Sequence, residues 1–191
     1  QIPYDPWKMI HAAEAMAYEP GDAAVIVGIV DSGVAPEHPD LPRLRAGYDT
    51  VQIGVGDFAQ GFELLGDESH VDTDPRDRYV GHGMACAGII GARGLGMSRG
   101  LAGDCQLLPV RGLGAARVAG TENVFGIGAA TDLHMGVKIA VDLGAKVLNM
   151  SFGTDDSTLD PQLPKPHPDV IAYALDRGSV LVAATGDSGK T

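Results

Sequence analysis

The run Ala23-Ala24-Val25-Ile26-Val27-Gly28-Ile29-Val30 carries no charge and stops at Asp31-Ser32-Gly33. A short, continuous apolar run rich in β-branched residues reads as a strand buried on both faces. Such a strand belongs inside a parallel sheet, which needs crossover helices to cover it. Gln106 to Arg111, Lys146 to Met150 and Ser179 to Ala184 read the same way. Helical patterns lie between them: about His82 to Ile90, about Thr121 to Leu143, and Pro168 to Arg177. The last has Pro168 in its first turn and Gly178 just past its end. Tyr4 to Tyr18 predicts one more helix ahead of the first strand. This alternation predicts an α/β fold, a parallel sheet with helices on both faces. Tyr48 to Tyr79 and Thr154 to Pro168 read as inserted loops, a length that in a compact domain points to function or mobility.

The 191 residues suit one domain, expected over 1–191. Acidic residues outnumber basic ones, 25 to 14, for a net charge of -11, which argues against a nucleic acid or an anionic membrane as partner. No stretch approaches the ~18 uncharged apolar residues of a membrane-spanning helix. Cys86 and Cys105 form neither a disulfide framework nor a zinc site, and whether they pair with each other is open.

In a parallel sheet the active crevice lies outside the carboxyl ends of the strands. Asp31 follows the first strand, Ser151-Phe152-Gly153 follows Lys146 to Met150, Thr185-Gly186-Asp187 follows the last strand, and His82 opens a helix. A lone Asp after a strand is usually a turn former, and a lone His at a helix start is usually a satisfied polar residue. Four motifs in order are more specific than any one of them. They are Asp31-Ser32-Gly33-Val34, Gly81-His82-Gly83-Met84-Ala85-Cys86-Ala87-Gly88, Asn149-Met150-Ser151-Phe152-Gly153 and Val182-Ala183-Ala184-Thr185-Gly186-Asp187. Together they resemble the subtilisin family of serine proteases over nearly the whole chain.

That resemblance implies a secreted serine endopeptidase acting on peptide or protein substrates. Asp31 would be the triad carboxylate and His82 the general base. Ser151, Phe152 and Gly153 would form one wall of the substrate groove, and the segment around Val118 its other edge, by strand addition. The nucleophilic Ser is expected in a Gly-Thr-Ser-Met-Ala motif downstream of Thr191, on a C-terminal remainder of the same protein. The fold carried here is thus subtilisin-like but incomplete, and the 191-residue chain alone is expected to be inactive.

Several residues depart from the family pattern. Asp187 stands where the oxyanion-stabilising Asn is expected, and Met84 replaces a Thr beside the His. The loop Arg93-Gly94-Leu95-Gly96-Met97 lacks the Asn of the family's strong calcium site, although Gln1 and Asp40 match other ligands. Cys86 resembles the thiol of two branches of the family, near the active imidazole. Asp72, Asp74 and Asp77 alternate in a way that suits a structural calcium ion, with a solvated acidic turn as the alternative. Ala184 to Thr191 also approaches a phosphate-binding loop, which makes nucleotide binding a minor alternative. An inactive subtilase-fold binding domain is the other, favoured by Asp187 and Met84.

Overall fold

The computed structural model describes residues 5–53, 61–66, 71–153 and 167–186. The apolar run forms β1 (Ile26–Asp31), and β2 (Tyr48–Asp49) and β3 (Phe62–Leu65) follow it. β4 (Gln106–Arg111), β5 (Gly114–Val118), β6 (Val124–Ile127), β7 (Val147–Met150) and β8 (Val180–Ala183) complete the strands. The helices are α1 (Pro6–Met9), α2 (Ala12–Tyr18), α3 (His82–Gly91), α4 (Ala130–Asp142) and α5 (Pro168–Asp176).

One sheet has the order β2-β4-β1-β7-β8, and its pairings are all parallel. β1 sits in its middle, paired with β4 from Ile26–Gln106 to Asp31–Arg111 and with β7 from Val27–Val147 to Ile29–Asn149. Side chains alternate across a strand. Val27 and Ile29 therefore join the cluster with Leu41, Ala87 of α3 and Leu107, whereas Val30 joins Leu133, Val137 and Ala140 of α4 and Ala174 of α5. Helices on both faces explain why β1 reads apolar throughout. Ile29, Leu107, Leu108 and Leu148 are almost wholly buried; each such side chain stabilises the fold by about 1.5–3 kcal/mol. This packing, not propensity, holds α3, because Gly83 and Gly88 each cost a helix interior about 1 kcal/mol relative to Ala.

The chain passes from β1 to β4 on one side and returns to β7 on the other. That reversal opens a crevice at the carboxyl ends of β1 and β7. A second, antiparallel sheet, β3-β5-β6, stands beside it. β8 is the outermost strand on the β7 side, with Val180 and Val182 half in the open.

Three expectations are corrected. The helix expected over Thr121 to Leu143 begins at Ala130, because Val124-Phe125-Gly126-Ile127 pairs with β5 as β6. Two glycines, Gly126 and Gly128, and a Val-Phe pair disfavour helix there. The stretch Tyr48 to Tyr79 is not all loop, since it supplies β2 and β3. The single helix expected before β1 is broken at His11, which takes left-handed backbone angles (φ 52°) between α1 and α2. Thr154 to 166 of the second expected loop lies outside the described residues.

Candidate active site

Asp31 is the last residue of β1 and is completely buried, while His82 is the first residue of α3 and half-exposed. The sheet and α3 bring them together: Asp31 Oδ1 lies 2.7 Å from His82 Nδ1 and accepts the Ser32 backbone N–H at 2.7 Å. An ionised carboxylate accepts only, so the imidazole carries its proton on Nδ1 and keeps Nε2 as its basic nitrogen. A buried carboxylate also stabilises imidazolium once a proton is taken up. The arrangement is that of an oriented general base.

Among the described residues no hydroxyl hydrogen-bonds to His82. Ser32 Oγ donates to Asp77 Oδ2 at 2.7 Å and accepts the Gly83 N–H at 2.9 Å. Ser151 Oγ is engaged with the Asn149 side chain. Cys86 Sγ, His82 and Asp31 offer ligand atoms within 4.8 Å of one another. Burial pushes the Cys86 thiol up, with Ser151 and Asn149 opposing and Asp31 reinforcing. A nucleophilic Cys is favoured by the opposite shift, so this direction argues against Cys86 as the attacking group. Cys86 and Cys105 are both free thiols.

A cleft of about 520 Å³ opens beside the pair, lined among others by Ser32, His82, Ser151, Phe152 and Gly153. Ser151, Phe152 and Gly153 thus lie together along one side of the cleft. The expected opposite edge at Val118 does not line the cleft: Val118 pairs with Phe62 inside the antiparallel sheet. The cleft is lined instead by β6 and its exit, Val124 to Gly128, with Leu133 of α4. Among the described residues β6 is an outer strand whose far edge has no pairing strand, an edge of the kind that accepts an extended chain. Its sequence signal, a short apolar run between Asn123 and Gly128, was absorbed into the long helical pattern. His167 is also missed by sequence reasoning. It lines the cleft with left-handed backbone angles (φ 81°), its Nδ1 is 2.6 Å from His134 Nε2, and its ring packs edge-on towards Phe152. Burial, and then the neighbouring His134, push the His167 imidazole below its ordinary value.

The carboxylates expected to hold calcium serve protein donors. Asp72 Oδ1 accepts the Asp74 N–H at 2.6 Å, and Asp74 is paired with Arg76 and Arg78. Asp77 accepts N–H groups from Tyr79, Val80 and Gly81 and the Ser32 hydroxyl. Among the described residues these three are not a metal-ligating cluster, and their donor partners do not fit a cation. Asp40, which the resemblance assigns to the family's strong calcium site, also meets N–H donors. That buried carboxylate accepts the backbone N–H groups of Leu95 (2.6 Å), Gly96 (2.7 Å) and Met97 (3.1 Å). These bonds, Leu95 foremost, hold the Asp40 carboxyl below the usual aspartate range. Gln1 lies outside the described residues, as does Asp187, the expected oxyanion position. Thr185 and Gly186 leave β8 as irregular chain, and the rest of the phosphate-loop resemblance is likewise outside them.

The chain is similar to known proteins in sequence and in fold. The chain is 33% identical to thermitase of Thermoactinomyces vulgaris over 188 residues, 98% of this chain and 56% of that protein. It is 32% identical to the minor extracellular protease Vpr of Bacillus subtilis (strain 168), covering 85% of this chain and 18% of Vpr. The crystal structure of the nisin leader peptidase NisP from Lactococcus lactis superposes with a TM-score of 0.65 at 25% identity, over 94% of this chain and 49% of that one. The fold is thus that of subtilisin-like proteases, and the chain spans about half the length of thermitase and less of Vpr. The Subtilase family profile matches residues 22–191, a span that holds both Asp31 and His82, and on that match the chain belongs to the subtilase family.

Proposed function

We propose that residues 1–191 are the N-terminal part of the catalytic domain of a secreted, subtilisin-like serine endopeptidase. The observation that carries this reading is the 2.7 Å contact between His82 Nδ1 and buried Asp31 at the head of the cleft. In the reaction, a Ser hydroxyl passes its proton to His82 Nε2 as its oxygen attacks a peptide carbonyl. Asp31 stabilises the imidazolium so formed. His82 then protonates the leaving amine, and water repeats the sequence on the acyl-enzyme. Substrate backbone lies extended between β6 and Ser151 to Gly153.

The nucleophile belongs, in this reading, to a C-terminal segment of the same protein. Two observations support that placement: the described hydroxyls near His82 are engaged elsewhere, and among the described residues β8 has no pairing strand on its outer edge, with Val180 and Val182 exposed. Secretion is supported by kinship with a protease whose name places it outside the cell.

A fluorophosphonate probe and a peptide substrate test the reading on the complete protein. Labelling at a Ser outside 1–191 and hydrolysis are expected, with Asp31→Ala and His82→Ala each lowering turnover by about 10⁴ or more. Triad members act as a unit, so the double variant is expected to be little worse than the worse single one. Absence of labelling and hydrolysis would favour an inactive binding domain on this fold.

A further inference from the structure

Asp31 and His82 come from segments 51 residues apart, and a third segment ties them together. We propose that Asp77 is a positioning residue for the Asp31–His82 pair, acting through Ser32 and the turn before α3. Asp77 Oδ2 accepts the Ser32 hydroxyl at 2.7 Å and the Gly81 N–H at 2.6 Å. Its Oδ1 accepts the N–H groups of Tyr79 at 3.0 Å and Val80 at 2.8 Å. A carboxylate has about four lone-pair sites, and all are used.

The bonds close a ring. Ser32 N–H donates to Asp31 Oδ1, the atom facing His82 Nδ1. Ser32 Oγ–H reaches Asp77, and Asp77 holds Gly81, whose next residue is His82. Gly81, the N-cap of α3, has no side chain to satisfy the first N–H groups of the helix. Ser32 Oγ does so from another segment, by accepting the Gly83 N–H at 2.9 Å. A hydroxyl has one proton, and Asp77 takes it, which leaves the Ser32 lone pair turned towards Gly83. Asp77 therefore sets the polarity of the cap on the helix that carries His82. The loop is fixed from its other side by the Val34 N–H donating to Pro75 O at 2.9 Å.

Asn cannot replace this group. With its oxygen towards Ser32 and Gly81, its NH₂ faces the N–H groups of Tyr79 and Val80; turned over, it faces that of Gly81. Misplacement of a base by about 1 Å can cost on the order of 10² in rate.

The inference rests on the reading of Asp31 and His82 as a catalytic pair, and its test is read in two independent ways. The complete protein, with ¹⁵N-labelled histidine, is compared with Asp77→Asn, Asp77→Ala and Ser32→Ala. Arg76→Gln, which removes the exposed pair with Glu37 on the same loop, is the control. The expected result is loss of the low-field proton resonance of His82 Nδ1–H, and a kcat about tenfold or more lower with KM within about twofold. The control keeps both. A retained resonance and unchanged kcat in folded Asp77 variants, with only the melting temperature lowered, would overturn the proposal. Should the Asp77 variants not fold, Ser32→Ala cuts the same bridge while leaving the turn intact, and the same two readings decide. Wild-type protein that shows the resonance but cleaves no peptide would overturn the peptidase reading, and loss of the resonance in the variants would still establish the positioning role.

Discussion

The carbonyl oxygen of Gly33 stands where a side chain on Gly83 would begin: a Cβ there would lie 2.3 Å from it and 3.2 Å from Asp31 Cβ. The strand turn and the first turn of α3 therefore meet backbone to backbone, which is what lets the His82 ring reach a carboxylate sunk in the sheet. Gly83→Ala is expected to push α3 away from β1. In the complete protein, on the proposed peptidase reading, kcat/KM should fall on the order of 10², and overpacking should destabilise by about 1–3 kcal/mol. Peptide hydrolysis and urea unfolding measure the two effects, and full activity would mean that the close approach is not required.

Cys86 gives a prediction of different character. Burial favours its protonated thiol, so alkylation by iodoacetamide at neutral pH is expected to be slower than for a free thiol and to keep rising with pH past the point where a free thiol levels off. A mercurial, which binds the sulfur tightly, should abolish activity because Sγ lies so near Asp31 and His82. Cys86→Ala should keep most activity and lose the mercury sensitivity. Mercury inhibition that persists in Cys86→Ala would place the sensitive group elsewhere.

The Asp40 cradle predicts a pH-dependent stability. Its carboxyl is depressed in the folded state, so its contribution is complete above the unfolded aspartate value of about 3.9 and is lost as pH falls through the lower folded value. Asp40→Asn should therefore be less stable than wild type at neutral pH, with the gap closing below about pH 4. Added calcium should not restore the variant, because N–H donors of Leu95, Gly96 and Met97 face the carboxylate. Urea midpoints across the pH range check this, and a constant gap would sink it.

Asp187 predicts a gain of function. A carboxylate cannot donate to a developing oxyanion and repels it. If Asp187 holds the oxyanion position that the family resemblance implies, Asp187→Asn in the complete protein should raise turnover at about pH 8 by on the order of tenfold or more. Unchanged or lower turnover would assign oxyanion stabilisation to other donors.

Much of the frame was legible in the sequence for a physical reason. A strand buried on both faces has no polar alternation to hide it, so β1 and β4 stand out, and the crevice rule then draws the eye to Asp31 and Ser151. His82 was legible because Gly81 and Gly83 flank it. β6 was not, since Val124 to Ile127 is too short to show a period of its own beside the strongly periodic α4. The segment around Val118, placed at the groove by the family resemblance, is followed by one more strand, β6, before the cleft is reached. Asp77 read as part of an acidic calcium loop because spacing along a chain does not reveal that Ser32, 45 residues earlier, supplies its proton donor.

β8 lies at the rim of the five-stranded sheet with Val180 58% and Val182 50% exposed. During synthesis that rim emerges from the ribosome before anything C-terminal to it. An unpaired, apolar strand is a template for whichever extended chain arrives first, a second nascent copy included. If a C-terminal segment is the native neighbour of β8, as proposed, folding is a race at one edge, and conditions that slow its arrival should show up as aggregates before they show up as lost activity.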